Sequence, residues 1–344
     1  MRLYSEVLDK YKVLSLVGMS KNAGKTTALN FLIEEAAEED VITGITSTGR
    51  DGEGTDLVTG TEKPKVFVYE DSIVTIPVEL YDMADAGIEI VKRTDYHSTF
   101  GNILLCRVLD QGYVQVAGPT STAHQKKLSG EMLELGAEIV FIDGAIDRRS
   151  IASPFASDAI ILSTGAVLSR DLRMVVEDTM HVVDLYSLSE FGDEKDEREL
   201  AEDLKNKEHY DNTVIIRNGK LESQTGATGL MAGSKLDSQI NDQTDYIYIP
   251  GALTQTTLQH IFPEKMKKVT FIVKDPTKIF VDRMTFRRLR KKGLKIKVLR
   301  GIKVAAITVN PYAPEGYSFG NDALLSAMRD AAGDLPVLDV KKPD

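Results

Sequence analysis

The chain has 344 residues, of which 42% are hydrophobic and 27% charged, and its formal net charge is −10. The length favours two domains, the composition is that of a soluble globular protein, and the acidic balance argues against general nucleic-acid binding. No apolar run approaches the roughly 18 residues of a membrane-spanning helix, so we expect no membrane segment. Cys106 is the single cysteine, which excludes an intrachain disulfide and a cysteine-based metal cage and fits a reducing cytoplasm.

Residues 1–188 alternate short β-branched runs with helical patterns. The predicted strands cover 12–17, 41–46, two short runs within 64–77, 88–94, 102–109, 113–118, 137–143 and 159–164. The predicted helices cover 25–39, 78–87, 121–135 and 170–187. This alternation indicates an α/β fold with a mainly parallel sheet and flanking helices.

Residues 189–212 are rich in acidic side chains and poor in apolar ones, which predicts a solvated helix or a linker. The alternation then resumes and predicts a second α/β domain over 213–344. Its predicted strands cover 213–217, 245–250, 268–273, 294–299 and 303–309, and its predicted helices lie near 231–240, 254–262, 277–292 and 320–332.

The stretch "VGMSKNAGKTT" (17–27) lies between the first strand and the first helix. A phosphate-binding loop needs a glycine-rich turn whose N–H groups face the phosphates, a lysine for the outer phosphates and a hydroxyl for Mg²⁺. The stretch has one residue more between its glycines than the usual G-x-x-x-x-G-K-[ST] pattern. We predict that it binds ATP and Mg²⁺ through Gly18, Asn22, Ala23, Gly24, Lys25, Thr26 and Thr27, with Lys25 catalytic and Thr26 on the metal.

Two further stretches supply acidic residues for the metal. The apolar strand in "IVFIDGA" (139–145) ends at Asp143, where nucleotide-binding proteins of this class place a carboxylate. The loop "TSTGRDGEGTD" (46–56) follows the second strand, at the edge of a parallel sheet where ligands bind. We predict catalytic and Mg²⁺-binding roles for Asp143 and Asp51.

Other stretches allow two interpretations. "VAGPTSTAHQ" (116–125) is a strand-to-helix junction that helix capping alone would explain. Residues 283–303 hold ten Lys or Arg and no acid, which favours either an acidic partner or neutralisation by the acidic segment of the same chain.

The spacing of the loop resembles those of dethiobiotin synthetase and the cobyrinate amidating synthetases, and its "KNAGKTT" is similar to the loop of the molybdopterin-guanine dinucleotide accessory proteins. In those synthetases a stretch like "TVNPYAPEGYSFGNDAL" (308–324) approaches the nucleotide base. The resemblance implies a P-loop NTPase-like fold, and such relatives commonly dimerise across the nucleotide site. A homodimer is therefore a further expectation.

Several stretches read in order resemble the small accessory subunit of lysine 5,6-aminomutase reactivase: "LSLVGMSKNAGKTTALNFLIEEA", "TSTGRDGE", "DLVTGTEKPKVFVYE", "GYVQVAGPTS", "VFIDGAIDRRSIASP" and "LSTGAVLSRD". This resemblance implies two partners, a larger reactivase ATPase and an adenosylcobalamin-dependent aminomutase. The alternative is a stand-alone ATP-dependent synthetase that activates a carboxylate. A GTP-binding metallochaperone is disfavoured because the sequence has no His/Cys cluster.

Overall fold

The computed structural model describes residues 10–48, 65–144, 156–206, 213–223, 232–320 and 322–340. Its strands are β1 (Val13–Gly18), β2 (Thr43–Ser47), β3 (Val66–Val68), β4 (Ile73–Pro77), β5 (Gly87–Ser98), β6 (Gly101–Asp110), β7 (Gly112–Val114), β8 (Ile139–Asp143), β9 (Ala159–Gly165), β10 (Val214–Arg217), β11 (Lys220–Ser223), β12 (Thr244–Ile249), β13 (Leu253–Thr254), β14 (Thr270–Val273), β15 (Ile279–Phe280), β16 (Lys295–Val298), β17 (Val304–Asn310) and β18 (Val337–Leu338). Its α-helices are α1 (Lys25–Glu38), α2 (Thr122–Glu134), α3 (Leu172–Tyr186), α4 (Arg198–Asn206), α5 (Ala232–Gln239), α6 (Gln255–Gln259), α7 (Pro263–Met266), α8 (Arg283–Lys291) and α9 (Ala323–Ala332). Short 3₁₀ helices cover Val78–Met83, Ala166–Leu168, Lys195–Glu197 and Pro276–Lys278.

The chain forms two compact units, and the predicted α/β class is confirmed. The first unit comprises Met1–Met180 together with Lys303–Asp344, and the second comprises His181–Ile302. In none of the described ranges is a helix long and apolar enough to cross a membrane.

The first unit contains a nine-stranded sheet in the order β18-β17-β9-β1-β8-β2-β4-β6-β5. Strands β18 to β4 of this order are parallel, and β6 and β5 continue the sheet in antiparallel pairing. Because successive side chains of a strand point to opposite faces, the buried apolar residues of β1 and β8 form two cores. One core includes Leu29 and Leu32 of α1, and the other includes Leu128 and Met132 of α2.

The predicted boundaries of the second domain differ from this division. The second unit does not include the last part of the domain predicted over 213–344, from Lys303 onwards. The reason is that β17 pairs in parallel with β9, and β18 pairs with β17. The apolar alternation of residues 303–309 predicts a strand but does not indicate which sheet it joins. Pairing of this strand with β9 makes the segment part of the first unit.

The second unit has its own five-stranded sheet in the order β11-β10-β12-β14-β16. Strands β12, β14 and β16 are parallel, and β10 and β11 form an antiparallel hairpin beside them. The predicted helix over 277–292 begins later, at Arg283, because the Asp282 side chain accepts a hydrogen bond from Thr285 N at 2.9 Å and caps α8.

The acidic segment, predicted over 189–212 as a solvated helix or a linker, includes helix α4 in its described part, 189–206. Phe191 is fully buried, and Leu200, Ala201 and Leu204 of α4 pack with it in the core of the second unit. Charged residues dominate the composition of this segment, but its few apolar residues lie on one face of a short helix.

Ion pairs with Lys297 of β16 connect the acidic segment to the second sheet. Glu197 is 1% exposed, and Lys297 Nζ donates to its Oε1 at 2.7 Å and to Glu194 at 2.6 Å. Burial by itself lowers the pKa of Lys297, but the hydrogen bonds and charges of the two glutamates raise that pKa above its ordinary value. One cation of the basic segment 283–303 is thereby neutralised within the chain.

Candidate functional site

The stretch between β1 and α1 folds as a tight turn that opens onto a helix N-terminus. Every residue of β1 is buried, and Asn22 (φ 65°) and Gly24 (φ 97°) take left-handed backbone conformations that reverse the chain. Ala28 N donates to Gly24 O at 2.9 Å, so the N–H groups of residues 25–27 precede the first intrahelical bond. Within the described chain, no side chain caps α1 and its first turn holds no acid. The positive end of the helix is therefore available to an anion.

Lys25 connects this helix start to the end of β8. Its ammonium donates a hydrogen bond to Gly144 O and lies 3.0 Å from Asp143 Oδ1. The Lys25 and Asp143 side chains are only 12% and 19% exposed. Asp143 occupies the carboxyl end of β8, between β1 and β2, where it is paired with Leu16 and Ser47. The pairing of β1 with β8 thus brings Lys25, of the stretch 17–27, into contact with Asp143, of the stretch 139–145.

Two buried side-chain oxygen atoms lie at this edge of the sheet. The buried Thr48 Oγ1 and Asp143 Oδ1 have no aligned hydrogen-bond partner among the described residues, although Asp143 Oδ1 is within ion-pair distance of Lys25. The two residues are neighbours, since Thr48 N donates to Asp143 O at 3.0 Å. Unpaired hydroxyl and carboxylate oxygens suit a hard cation such as Mg²⁺ or its water ligands.

The donor set fits Mg²⁺ bound together with phosphate and does not form a protein-only cage. No three His, Cys, Asp or Glu side chains in the described ranges group closely enough to hold a metal ion. Mg²⁺ commonly retains several waters and takes one or two protein oxygens beside substrate phosphates. The Thr26 hydroxyl, in the first turn of α1, and the Asp143 carboxylate match that pattern.

Asn310, at the end of β17, closes the turn from the other side. Its Nδ2 donates to Asn22 O at 3.2 Å, and a Cβ on Gly24 would lie 3.1 Å from the Asn310 Cβ. A small surface pocket, with a volume of about 10 Å³, lies beside Asn310 and is lined among others by Pro311, Tyr312 and Phe319. The approach of residues 308–324 to a nucleotide base stays a prediction, and Asn310 of this stretch contacts the turn at Asn22.

The structure brings most of the predicted site residues together. Gly18 ends β1, Asn22, Ala23 and Gly24 form the turn, Lys25, Thr26 and Thr27 form the first turn of α1, and Asp143 ends β8. Asp51 lies outside the described residues, as does most of the predicted loop 46–56. Sequence reasoning did not single out Thr48 within the predicted loop 46–56, and only the resemblance pointed to the stretch that contains Asn310. Each of the two residues lies directly after or at the end of a strand.

Protein-family models, curated proteins and solved structures contain no match to this chain.

Proposed function

We propose that this chain binds ATP with Mg²⁺ through Gly18, Asn22, Ala23, Gly24, Lys25, Thr26 and Thr27. The supporting observation is the helix start at Lys25, which presents free N–H groups, no acid and no side-chain cap beside a lysine and a carboxylate. The N–H groups of the turn and of α1 would hold the phosphates, and Lys25 would exchange Gly144 O for oxygens of the outer phosphates. Binding would in this way release the end of β8.

Thr26 and Asp143 would hold the Mg²⁺, with Asp51 as a further predicted ligand. The cation would neutralise charge on the outer phosphates. Thr48 would orient a water ligand, since its hydroxyl has no donor or acceptor among the described residues. Because Thr48 continues directly into the predicted loop 46–56, a change at Asp143 would be passed on to that loop.

We further propose an accessory role in the ATP-dependent reactivation of an adenosylcobalamin-dependent aminomutase in the cytoplasm. The support is the sequence resemblance, together with the link between Lys25 and Asp143, which suits a protein that signals nucleotide binding to a partner. The partners would be a larger reactivase ATPase and the mutase. The alternative remains a stand-alone synthetase that uses ATP to activate a carboxylate.

The nucleotide proposal is tested by calorimetric titration of the full chain with ATP and GTP, with and without Mg²⁺. Wild type should bind, Lys25→Ala should lose binding, and Lys21→Ala should bind as wild type because Lys21 is an exposed residue of the same turn. Equal affinity of Lys25→Ala and wild type would refute the proposal.

The accessory role is tested by capture from a native extract with and without Mg²⁺ and ATP. Recovery of a reactivase or a cobalamin-dependent mutase in a nucleotide-dependent manner would support it. ATP consumption by the isolated chain only in the presence of a small carboxylate would instead support the synthetase.

A further inference from the structure

Gln125 is a buried polar side chain near the start of α2, on the α2 face of the first sheet. The residue is 2% exposed, and neither Nε2 nor Oε1 of its carboxamide has a hydrogen-bond partner in the part of the chain that the structure describes. Buried polar groups are nearly always paired, because an unpaired one destabilises the folded state. Gln125 therefore lacks the partners that a bound molecule would supply.

The carboxamide of Gln125 points back towards the N-terminus of α2. Helical side chains lean in that direction, and Gln125 Oε1 lies 2.8 Å from the place that a Cβ on Gly118 would occupy. Ser47 O lies 1.7 Å from the same place, so only glycine fits between the turn and β2. Gln125 thus forms the inner wall of the turn that leads into α2, at the carboxyl end of β2.

The first turn of α2 offers hydrogen-bond donors and no negative charge. The N–H groups of residues 122–124 precede the first intrahelical bond, in which Gln125 N donates to Ser121 O at 2.9 Å. Among the described residues no side chain caps this helix, and its first turn holds no acid. Ala123 and His124 are exposed, so solvent reaches the turn.

We propose that the first turn of α2 and the Gln125 carboxamide, together called the α2 site, bind the oxyanion of a second small molecule. Free N–H groups at the positive end of a helix attract an anion, and rotation of the Gln125 carboxamide about its last side-chain bond would present Nε2 in place of Oε1 as a further donor. The ligand carries a carboxylate or a phosphate, since both present oxygens to such donors. The α2 site is built on α2, whereas the turn 18–24 leads into α1, and the two helices pack with different cores of the sheet.

The test uses the full chain and two probes, succinate and inorganic phosphate, titrated by calorimetry. The variants are Gln125→Leu, which removes both polar atoms at similar size, and Gln125→Glu, which keeps the shape and adds a negative charge. Ser129→Ala is the matched control, because Ser129 is on the same buried face of α2 one turn further on and its hydroxyl is also unpaired among the described residues. Lys25→Ala separates this site from the nucleotide site, since phosphate bound near Lys25 is independent of Gln125.

Wild type, Ser129→Ala and Lys25→Ala should bind at least one probe at the α2 site. Both Gln125 variants should weaken that binding by about tenfold or more, and Gln125→Leu should melt no lower than wild type because it removes unpaired polar atoms. Succinate binding would identify a carboxylate ligand, and binding of phosphate alone a phosphorylated one. Unchanged binding in the Gln125 variants, no binding of either probe to wild type, or a clearly lower melting temperature of Gln125→Leu would overturn the proposal, whatever the outcome for ATP.

Discussion

The Lys25 ammonium lies 3.0 Å from Asp143 Oδ1, so the lysine predicted to bind phosphate is held by the acid predicted to bind the metal. The pair joins the first turn of α1 to the end of β8, and the same ammonium donates to Gly144 O. A bound phosphate would compete for this ammonium. Under the proposed function, this contact would couple nucleotide binding to the conformation at the end of β8.

Removing Lys25 should also cost stability. Lys25→Ala leaves the largely buried Asp143 carboxylate without its cation, and we expect the free energy of unfolding in urea to fall by about 1–3 kcal/mol. Asp143→Asn removes the charge, so the double variant should be more stable than the sum of the single effects predicts, by about 1 kcal/mol. Strict additivity would show that the pair is not coupled, and Lys21→Ala should leave stability unchanged.

The side-chain oxygens of Asp143, at the end of β8, and of Thr48, directly after β2, should affect nucleotide binding only when Mg²⁺ is present. We expect Asp143→Asn and Thr48→Val to weaken Mg²⁺-dependent nucleotide binding by about tenfold or more, with a much smaller effect in EDTA. Asp51→Asn should behave in the same way if it is the further ligand predicted from sequence. Titrations with and without Mg²⁺ measure this, and equal losses in both conditions would indicate a folding defect.

The turn itself should tolerate no side chain at Gly24. With φ at 97° and the Asn310 Cβ 3.1 Å from an added Cβ, Gly24→Ala should lower the free energy of unfolding by about 1–2 kcal/mol and weaken nucleotide binding. Gly130→Ala is the matched control, because Gly130 lies within α2 with nothing within 4 Å of an added Cβ. That variant should gain about 0.5–1 kcal/mol, and a Gly24→Ala protein as stable as wild type would contradict the strained turn.

Sequence could predict the parts of the site that follow from local pattern. The turn from Gly18 to Gly24 and the acid at Asp143 each sit within one strand-to-loop junction, where residue type and spacing are sufficient. The sequence alone could not show that Asn310 contacts Asn22. This contact depends on the parallel pairing of β17 with β9, which no local pattern encodes.

The sequence also could not show which polar side-chain atoms are buried without a partner among the described residues. Gln125 stands in a stretch for which the sequence offered helix capping as a sufficient explanation, although no described side chain caps α2. Only its burial and its lack of partners among the described residues distinguish it. The composition of the acidic segment drew attention to its charge and away from its few apolar residues. Phe191 and the apolar face of α4 are buried, and this burial packs the segment into the core of the second unit.

The buried thiol of Cys106 should make the protein less stable in alkali. Burial raises the pKa of this thiol from 9.0 to about 12, so the stabilisation is complete below pH 9 and is lost as the pH rises towards 12. Between pH 7.5 and 10.5 this thiol alone should remove about 2 kcal/mol of the free energy of unfolding.

Cys106→Ala isolates this effect, because a cavity costs the same at every pH. Tyr96, whose pKa is also raised to about 12 by burial and by its hydrogen bond to Glu131, contributes equally to both proteins. Urea unfolding at the two pH values should show a smaller loss in Cys106→Ala than in wild type. Identical losses would mean that the thiol does not titrate in this range.

The exposed arginines of α8 should dock an acidic protein surface and not a nucleic acid. Arg287, Arg288 and Arg290 are exposed on this helix, whereas Lys297 of the same basic segment is already paired with Glu194 and Glu197. Each exposed ion pair contributes only about 0–1 kcal/mol, so docking depends on several pairs together and should weaken with salt. Reversing the three arginines to Glu should abolish capture of an acidic partner at low salt while ATP binding survives, and Lys295→Glu on β16 serves as a single-charge control. Unchanged capture by the triple variant, or tight binding of nucleic acid by wild type at physiological salt, would contradict this assignment.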